Sequence, residues 1–149
     1  MERFREGSSQ GGLGCVLVAS ASFWEGFDVP GDALQLVVID KLPFPPPNDP
    51  LVEARAQRLE LQGQSSFSDY SVPEAAVALK QGAGRLIRSE TDTGVLVVCD
   101  PRLTGMAYGK RLLACLPPMR KLSNEAEFGL ALTQLTKIST TLSTFDLSK

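Results

Sequence analysis

The stretch "QGAGRLIRSETDTGVLVVCD", Gln81–Asp100, joins two patterns that together set the fold class. Its first half carries small and apolar residues at helical spacing around Gln81, Arg85 and Arg88. Its second half, "GVLVVCD" (Gly94–Asp100), is a continuous apolar run without alternation. Runs of that kind suit strands of a parallel sheet covered by helices on both faces. Two more stand upstream: "CVLVASA" (Cys15–Ala21) and "LQLVVID" (Leu34–Asp40). Strands alternating with helical segments predict an α/β domain with a mostly parallel sheet flanked by helices.

The helical segments carry their own punctuation. "NDPLVEARAQRLELQ" offers Asp49 as an N-cap and Pro50 at the first helical position, where a missing N–H costs nothing. "SVPEAAVALKQGAGRLIR" opens with a Ser71-x-x-Glu74 capping pattern. A shorter helix is expected over Thr104–Leu116, stopped by Pro117 and Pro118. From Asn124, Phe128, Leu132, Leu135, Ile138 and Leu142 recur at helical spacing, and the tail "STTLSTFDLSK" is expected to fray. "LPFPPPNDP" between strand and helix reads as a stiff, extended loop. The expected organisation is a flexible segment over residues 1–13, an α/β unit over 14–122, and an amphipathic helix with its tail over 123–149.

Composition narrows the chemistry. Of 149 residues, 43% are hydrophobic and 21% charged, which is globular composition. A net charge of −2 advertises no global affinity for polyanions, so nucleic acid would have to meet a local patch. There is no histidine, which removes histidine-based triads and histidine metal sites. The three cysteines, Cys15, Cys99 and Cys115, are isolated, and Cys15 and Cys99 adjoin apolar runs. They read as reduced residues in a cytoplasmic protein, with no metal ligand set. No apolar run approaches the roughly twenty residues needed to span a bilayer, and the charged, polar start carries no secretory signal.

On a helical wheel, Gln81, Gly84, Arg85 and Arg88 fall within about a third of the circumference. Ala76, Leu79, Ala83, Leu86 and Ile87 take the opposite side. Gly82 and Gly84 each cost roughly 1 kcal/mol relative to alanine in a helix, a cost usually tied to close approach of a backbone or ligand. Two readings fit this face: a solvated surface, or guanidinium forks aimed at an external anion.

After the first apolar run comes "SASFWEGFDVPGD" (Ser20–Asp32), with Glu25, Gly26 and Asp28 ahead of a Pro30-Gly31 turn. In open parallel sheets, ligands bind beyond the carboxyl ends of strands, where this loop, Asp40 and Asp100 are expected to gather. Phe23 and Trp24 are candidates for stacking or for burial.

Taken in order, "SFWEGFDVPGD", "VVIDKLPFPPPNDP" and "QGAGRLIRSETDTGVLVVCDPRL" resemble the second motor domain of DinG/XPD-type superfamily 2 DNA helicases, in particular the bacterial DinG-like subgroup. The first looks like helicase motif V and the last like motif VI, Q-x-x-G-R-x-x-R, over roughly residues 14–120 of the chain. The resemblance implies part of a RecA-like, P-loop NTPase-type domain in an ATP-dependent 5′→3′ DNA helicase of repair or replication. Arg85 and Arg88 would reach a triphosphate seated mainly on a first motor domain, with Gln81 supporting them. Glu25, Gly26, Asp28 and Gly84 would line the same cleft. Residues 22–24 and the Pro-rich loop would lie nearer a single-stranded DNA track.

No G-x-x-x-x-G-K-[S/T] loop occurs in these 149 residues, nor the Asp-Glu metal-binding pair or the four cysteines of relatives with an iron–sulfur cluster. ATP and Mg2+ would therefore be held mainly by the first motor domain, and this chain alone is expected to be inactive. Missing early strands would expose a sheet edge and favour self-association. A competing expectation is a non-catalytic module docking on a replication or repair protein through residues 124–142. A third keeps the ATPase but couples it to translocation or to a nuclease.

Overall fold

In the computed structural model, which describes residues 15–20, 34–87 and 92–145, strand β1 (Leu36–Ile39) runs parallel to β2 (Val95–Val98). Leu36 pairs with Val95 and Ile39 with Val98. The crossover between them contains helices α1 (Pro50–Leu61) and α2 (Val72–Gly84). After β2 come α3 (Arg102–Gly105), α4 (Gly109–Ala114) and α5 (Glu125–Phe145). The α/β class and the parallel pairing agree with the sequence pattern.

Helix α1 begins as its residues dictate. Asp49 Oδ1 accepts the N–H groups of Leu51 at 2.8 Å and Val52 at 3.3 Å, ahead of Pro50. It ends in a Schellman motif: Gly63, at φ 72°, donates to Glu60 O, and Gln64 donates to Leu59 O. None of its residues is buried.

Helix α2 is the central support. Val72, Ala75, Ala76, Leu79 and Ala83 form its buried stripe at i, i+3, i+4, i+7 and i+11. All of these but Ala83 pack with Ile39, Leu42, Leu103 and Leu112 in one core. Leu79, Leu112 and Val72 are fully buried, each a contribution of about 1.5–3 kcal/mol.

The start of α2 departs from the expected Ser71–Glu74 box. Ser71 already has helical dihedrals and makes no capping bond, because a π turn (Phe67–Ser71) carries the helix further upstream. The cap is Ser65: its hydroxyl accepts the Ser68 N–H at 3.2 Å, and Asp69 Oδ2 accepts the Ser65 N–H at 2.9 Å. The widened turn lies just before Pro73, where a regular turn would press the proline ring on a carbonyl. At its other end α2 stops at Gly84, so the expected helix through Arg88 is shorter than its pattern.

Other expectations also change. The run at Cys15–Ala21 is not a strand over its described part: residues 15–20 pair with neither β1 nor β2, and Val16 and Val18 are 90% and 91% exposed. A parallel strand needs a ladder with a neighbouring strand, and the β1–β2 sheet of the described residues does not include this run. The strands are not covered on both faces: Ile39 is buried while Val38 is 57% exposed. All three cysteines are exposed rather than buried hydrophobes.

The single helix expected over Thr104–Leu116 is two short ones, broken at Met106–Tyr108. A Cβ on Gly109 would land on the Leu103 carbonyl, so the break lets two turns meet closely. Finally, α5 extends to Phe145 through residues expected to fray, with Asn124 Oδ1 accepting the Glu127 N–H at its start.

Candidate functional site

The described part of the arginine motif sits where α2 ends. Gln81 is exposed, Gly84 is the last helical residue, and Arg85 follows as a half-buried C-cap. Ala76, Leu79 and Ala83 hold the opposite side of the helix in the core, so Gln81, Gly84 and Arg85 share the outward side. Among the described residues, no carboxylate pairs with the Arg85 guanidinium. A cation at a helix C-terminus is favoured by the helix dipole alone. Gly84 adds a second fact: among the described residues a Cβ there would meet nothing within 4 Å, so none of them requires glycine.

The chain beyond α2 is anchored by Leu86, which is 3% exposed. A Cβ on Gly94 would collide with the Leu86 side chain, its Cγ at 2.7 Å, and approach the Gln35 carbonyl at 3.1 Å. Leu86 thus fills space beside the residues that enter β1 and β2. Arg85 is therefore fixed near the amino-terminal edge of the sheet, not at the carboxyl edge where Asp40 and Asp100 lie. Arg88, Glu25, Gly26 and Asp28 lie outside the described residues, as do Ser22, Phe23 and Trp24.

Asp40 and Asp100 both lie at the carboxyl edge, as expected, but in different environments. Asp40 is exposed, whereas Asp100 is 6% exposed and fully engaged within the fold. Asp100 Oδ2 accepts the Leu42 N–H at 2.9 Å and Arg102 Nη2 at 2.6 Å; Oδ1 accepts the Arg102 N–H at 3.0 Å and Nε at 2.9 Å. The Arg102 guanidinium, then the Leu42 N–H, holds the Asp100 carboxyl well below the usual carboxylate range. This aspartate clamps the Pro-rich loop to the end of β2.

The same edge holds a cluster that the sequence reading did not single out. Phe44, from the Pro-rich loop, stacks on Phe67 at 5.6 Å, and Tyr108 meets both rings edge-on at 5.6 and 5.3 Å. The Arg102 guanidinium lies 5.5 Å from the Phe44 centroid. The one local sign in the sequence is Asp100-x-Arg102, close enough to fold into an ion pair beside the loop. The aromatic partners come from segments far apart in the chain.

Among the described residues, no group of three or more cysteines and acids is placed to hold a metal, and no helix is long and apolar enough to cross a membrane.

Comparison with known proteins bears on this geometry. The ATP-dependent DNA helicase YoaA of Haemophilus influenzae is 57% identical over 102 residues, 68% of this chain and 16% of that protein. The ATP-dependent helicase DinG of Mycobacterium tuberculosis is 42% identical over 121 residues, 81% of this chain and 18% of that protein. The 3′-5′ exonuclease DinG of Bacillus subtilis is 40% identical over 102 residues, 68% of this chain and 11% of that protein. The chain thus spans less than a fifth of each of these relatives. Residues 1–119, which include the whole arginine motif, the Pro-rich loop and the Asp100 clamp, match the family described as the helicase C-terminal domain, and the chain belongs to that family.

Proposed function

We propose that the chain is part of the second motor domain of an ATP-dependent 5′→3′ DNA helicase acting in repair or replication. Its role is to present Arg85 and Arg88, supported by Gln81, to a triphosphate seated mainly on a first motor domain. The observation that carries this reading is the Arg85 guanidinium. It is half-buried at the end of a helix anchored by Leu79, with buried Leu86 just beyond it, and no carboxylate among the described residues pairs with it.

An anion from outside would complete such a site. Phosphoryl transfer depends on positioning and charge stabilisation, which a rigid guanidinium fork supplies. Gly84 leaves open space beside that fork for an approaching phosphate or backbone. Glu25, Gly26 and Asp28 complete the cleft in this reading. Mg2+ would neutralise phosphate charge on the first domain's side. No cysteine set here fits an iron–sulfur cluster, so no step is assigned to one.

The test is reconstitution. Mixing the chain with a separately expressed first motor domain is expected to restore ATPase activity stimulated by single-stranded DNA. A second reading, a non-catalytic module docking on a replication or repair protein, is favoured by Leu130, 64% exposed on α5. Binding to such a protein with no restored ATPase would select it.

A further inference from the structure

The aromatic cluster at the carboxyl edge has a feature that packing does not explain. Phe44 and Tyr108 rest against the hydrophobic core, whereas Phe67 packs on their rings and remains 45% exposed. Its ring is not loose, because Phe44 stacks on it and Tyr108 braces its flank. Phe44 is in turn fixed by the Leu42–Asp100 bond two residues earlier and by the Arg102 guanidinium on its ring. The result is a rigid, half-exposed aromatic ring on a prepared support.

Two exposed arginines are held by residues next to Phe67 in its own helical segment. Arg111 Nη1 donates to the Ser68 carbonyl at 3.3 Å, one residue from Phe67. Arg55 Nη1 donates to the Tyr70 hydroxyl at 3.3 Å and lies 5.6 Å from that ring's centroid. The nearby acids are Asp100, Asp69, Glu60 and Glu74; among the described residues only Asp100 of these pairs with a cation, and Glu74 acts on Arg55 through its charge. Asp100 is bound to Arg102, Asp69 accepts the Ser65 N–H, and Glu60 accepts the Ser66 hydroxyl. Arg55 and Arg111 are exposed, and among the described residues no carboxylate forms a salt bridge with either.

We propose that Phe67, backed by Phe44 and Tyr108 and flanked by Arg55 and Arg111, is a stacking site for a base of single-stranded DNA. A flat ring beside fixed cations matches a strand whose bases are unstacked and whose phosphates run alongside. Duplex DNA keeps its base faces covered and cannot use such a ring. The proposal takes the class of ligand from the helicase reading above, while its geometry stands apart from the arginine motif. The site lies at the sheet edge opposite Arg85, so a strand bound there leaves the nucleotide-facing residues free.

The test uses this chain with a fluorescein-labelled oligothymidylate and with an oligonucleotide carrying 5-iodouracil for photocrosslinking. Phe67→Ala is expected to weaken binding about tenfold. Phe67→Leu, which keeps the apolar bulk but loses the flat ring, is expected to weaken it nearly as much, with an unchanged melting temperature. Crosslinks are expected at Phe67 or Tyr108, and Arg111→Glu is expected to weaken binding and flatten its salt dependence. Wild-type binding that both Phe67 variants retain, crosslinks confined to other segments, or no binding by the wild type would each overturn the proposal. If reconstituted ATPase depends on Arg85 while Phe67 variants bind DNA normally, only the stacking site fails. If DNA binds through Phe67 but no ATPase is restored, the motor reading fails and the stacking site stands.

Discussion

The Leu42 N–H donates to Asp100 Oδ2 at 2.9 Å, tying the loop that leaves β1 to the segment just past β2, 58 positions along the chain. Asp100→Ala is therefore expected to leave a buried N–H unpaired and destabilise the fold by about 1–3 kcal/mol. The folded carboxyl titrates below its unfolded value of 3.8, so its contribution is complete above that pH and fades as pH falls through the folded value. The gap between wild type and variant, read from urea titrations, should stay level from about pH 5 to 8 and close only in stronger acid. A gap that opened on acidification would contradict the assignment.

Gly109 should tolerate no side chain. A Cβ would strike the Leu103 carbonyl oxygen and come within 2.7 Å of its carbon, and backbone cannot swing aside as a side chain can. Gly109→Ala is expected to cost about 1–3 kcal/mol or more, with loss of the close approach between α3 and α4. A melting temperature equal to wild type would refute this.

The outward face of β1 bears Leu36 and Val38, 39% and 57% exposed. A short sheet with exposed apolar residues invites pairing with another copy. Sedimentation of the isolated chain should show self-association, and Val38→Lys should reduce it without lowering the melting temperature. A monomeric wild type with a sharp two-state melt would count against it.

Gly84 separates fold from function. Its surroundings are open and its φ is not positive, so Gly84→Ala should leave stability unchanged or raise it by about 0.5–1 kcal/mol. If an external phosphate or backbone uses that space, the same change should lower reconstituted ATPase turnover. Full turnover with raised stability would remove Gly84 from the site.

Periodicity was the most legible part of the fold. The buried stripe of α2, the Asp49–Pro50 start of α1 and the pairing of two apolar runs all follow from local residue patterns that tertiary contacts reinforce. What failed was local signal overruled by neighbours. Ser71 loses its capping role because Ser65 and Asp69 start the helix earlier, and the strand-like residues 15–20 do not join the β1–β2 sheet. The site divides in the same way. The shared outward side of Gln81, Gly84 and Arg85 was legible from their helical spacing, whereas the end of α2 before Arg88 was not. Phe44, Phe67 and Tyr108 were not, because nothing in their spacing shows that three distant segments bring their rings together.

The most direct measurement is ATPase turnover, stimulated by single-stranded DNA, of the chain mixed with a first motor domain, comparing wild type with Arg85→Ala and Arg88→Ala. Turnover is expected to fall by about 10³-fold or more in each variant, with melting temperatures unchanged. Turnover within a few-fold of wild type in the Arg85 variant would contradict the assignment of that guanidinium to the nucleotide.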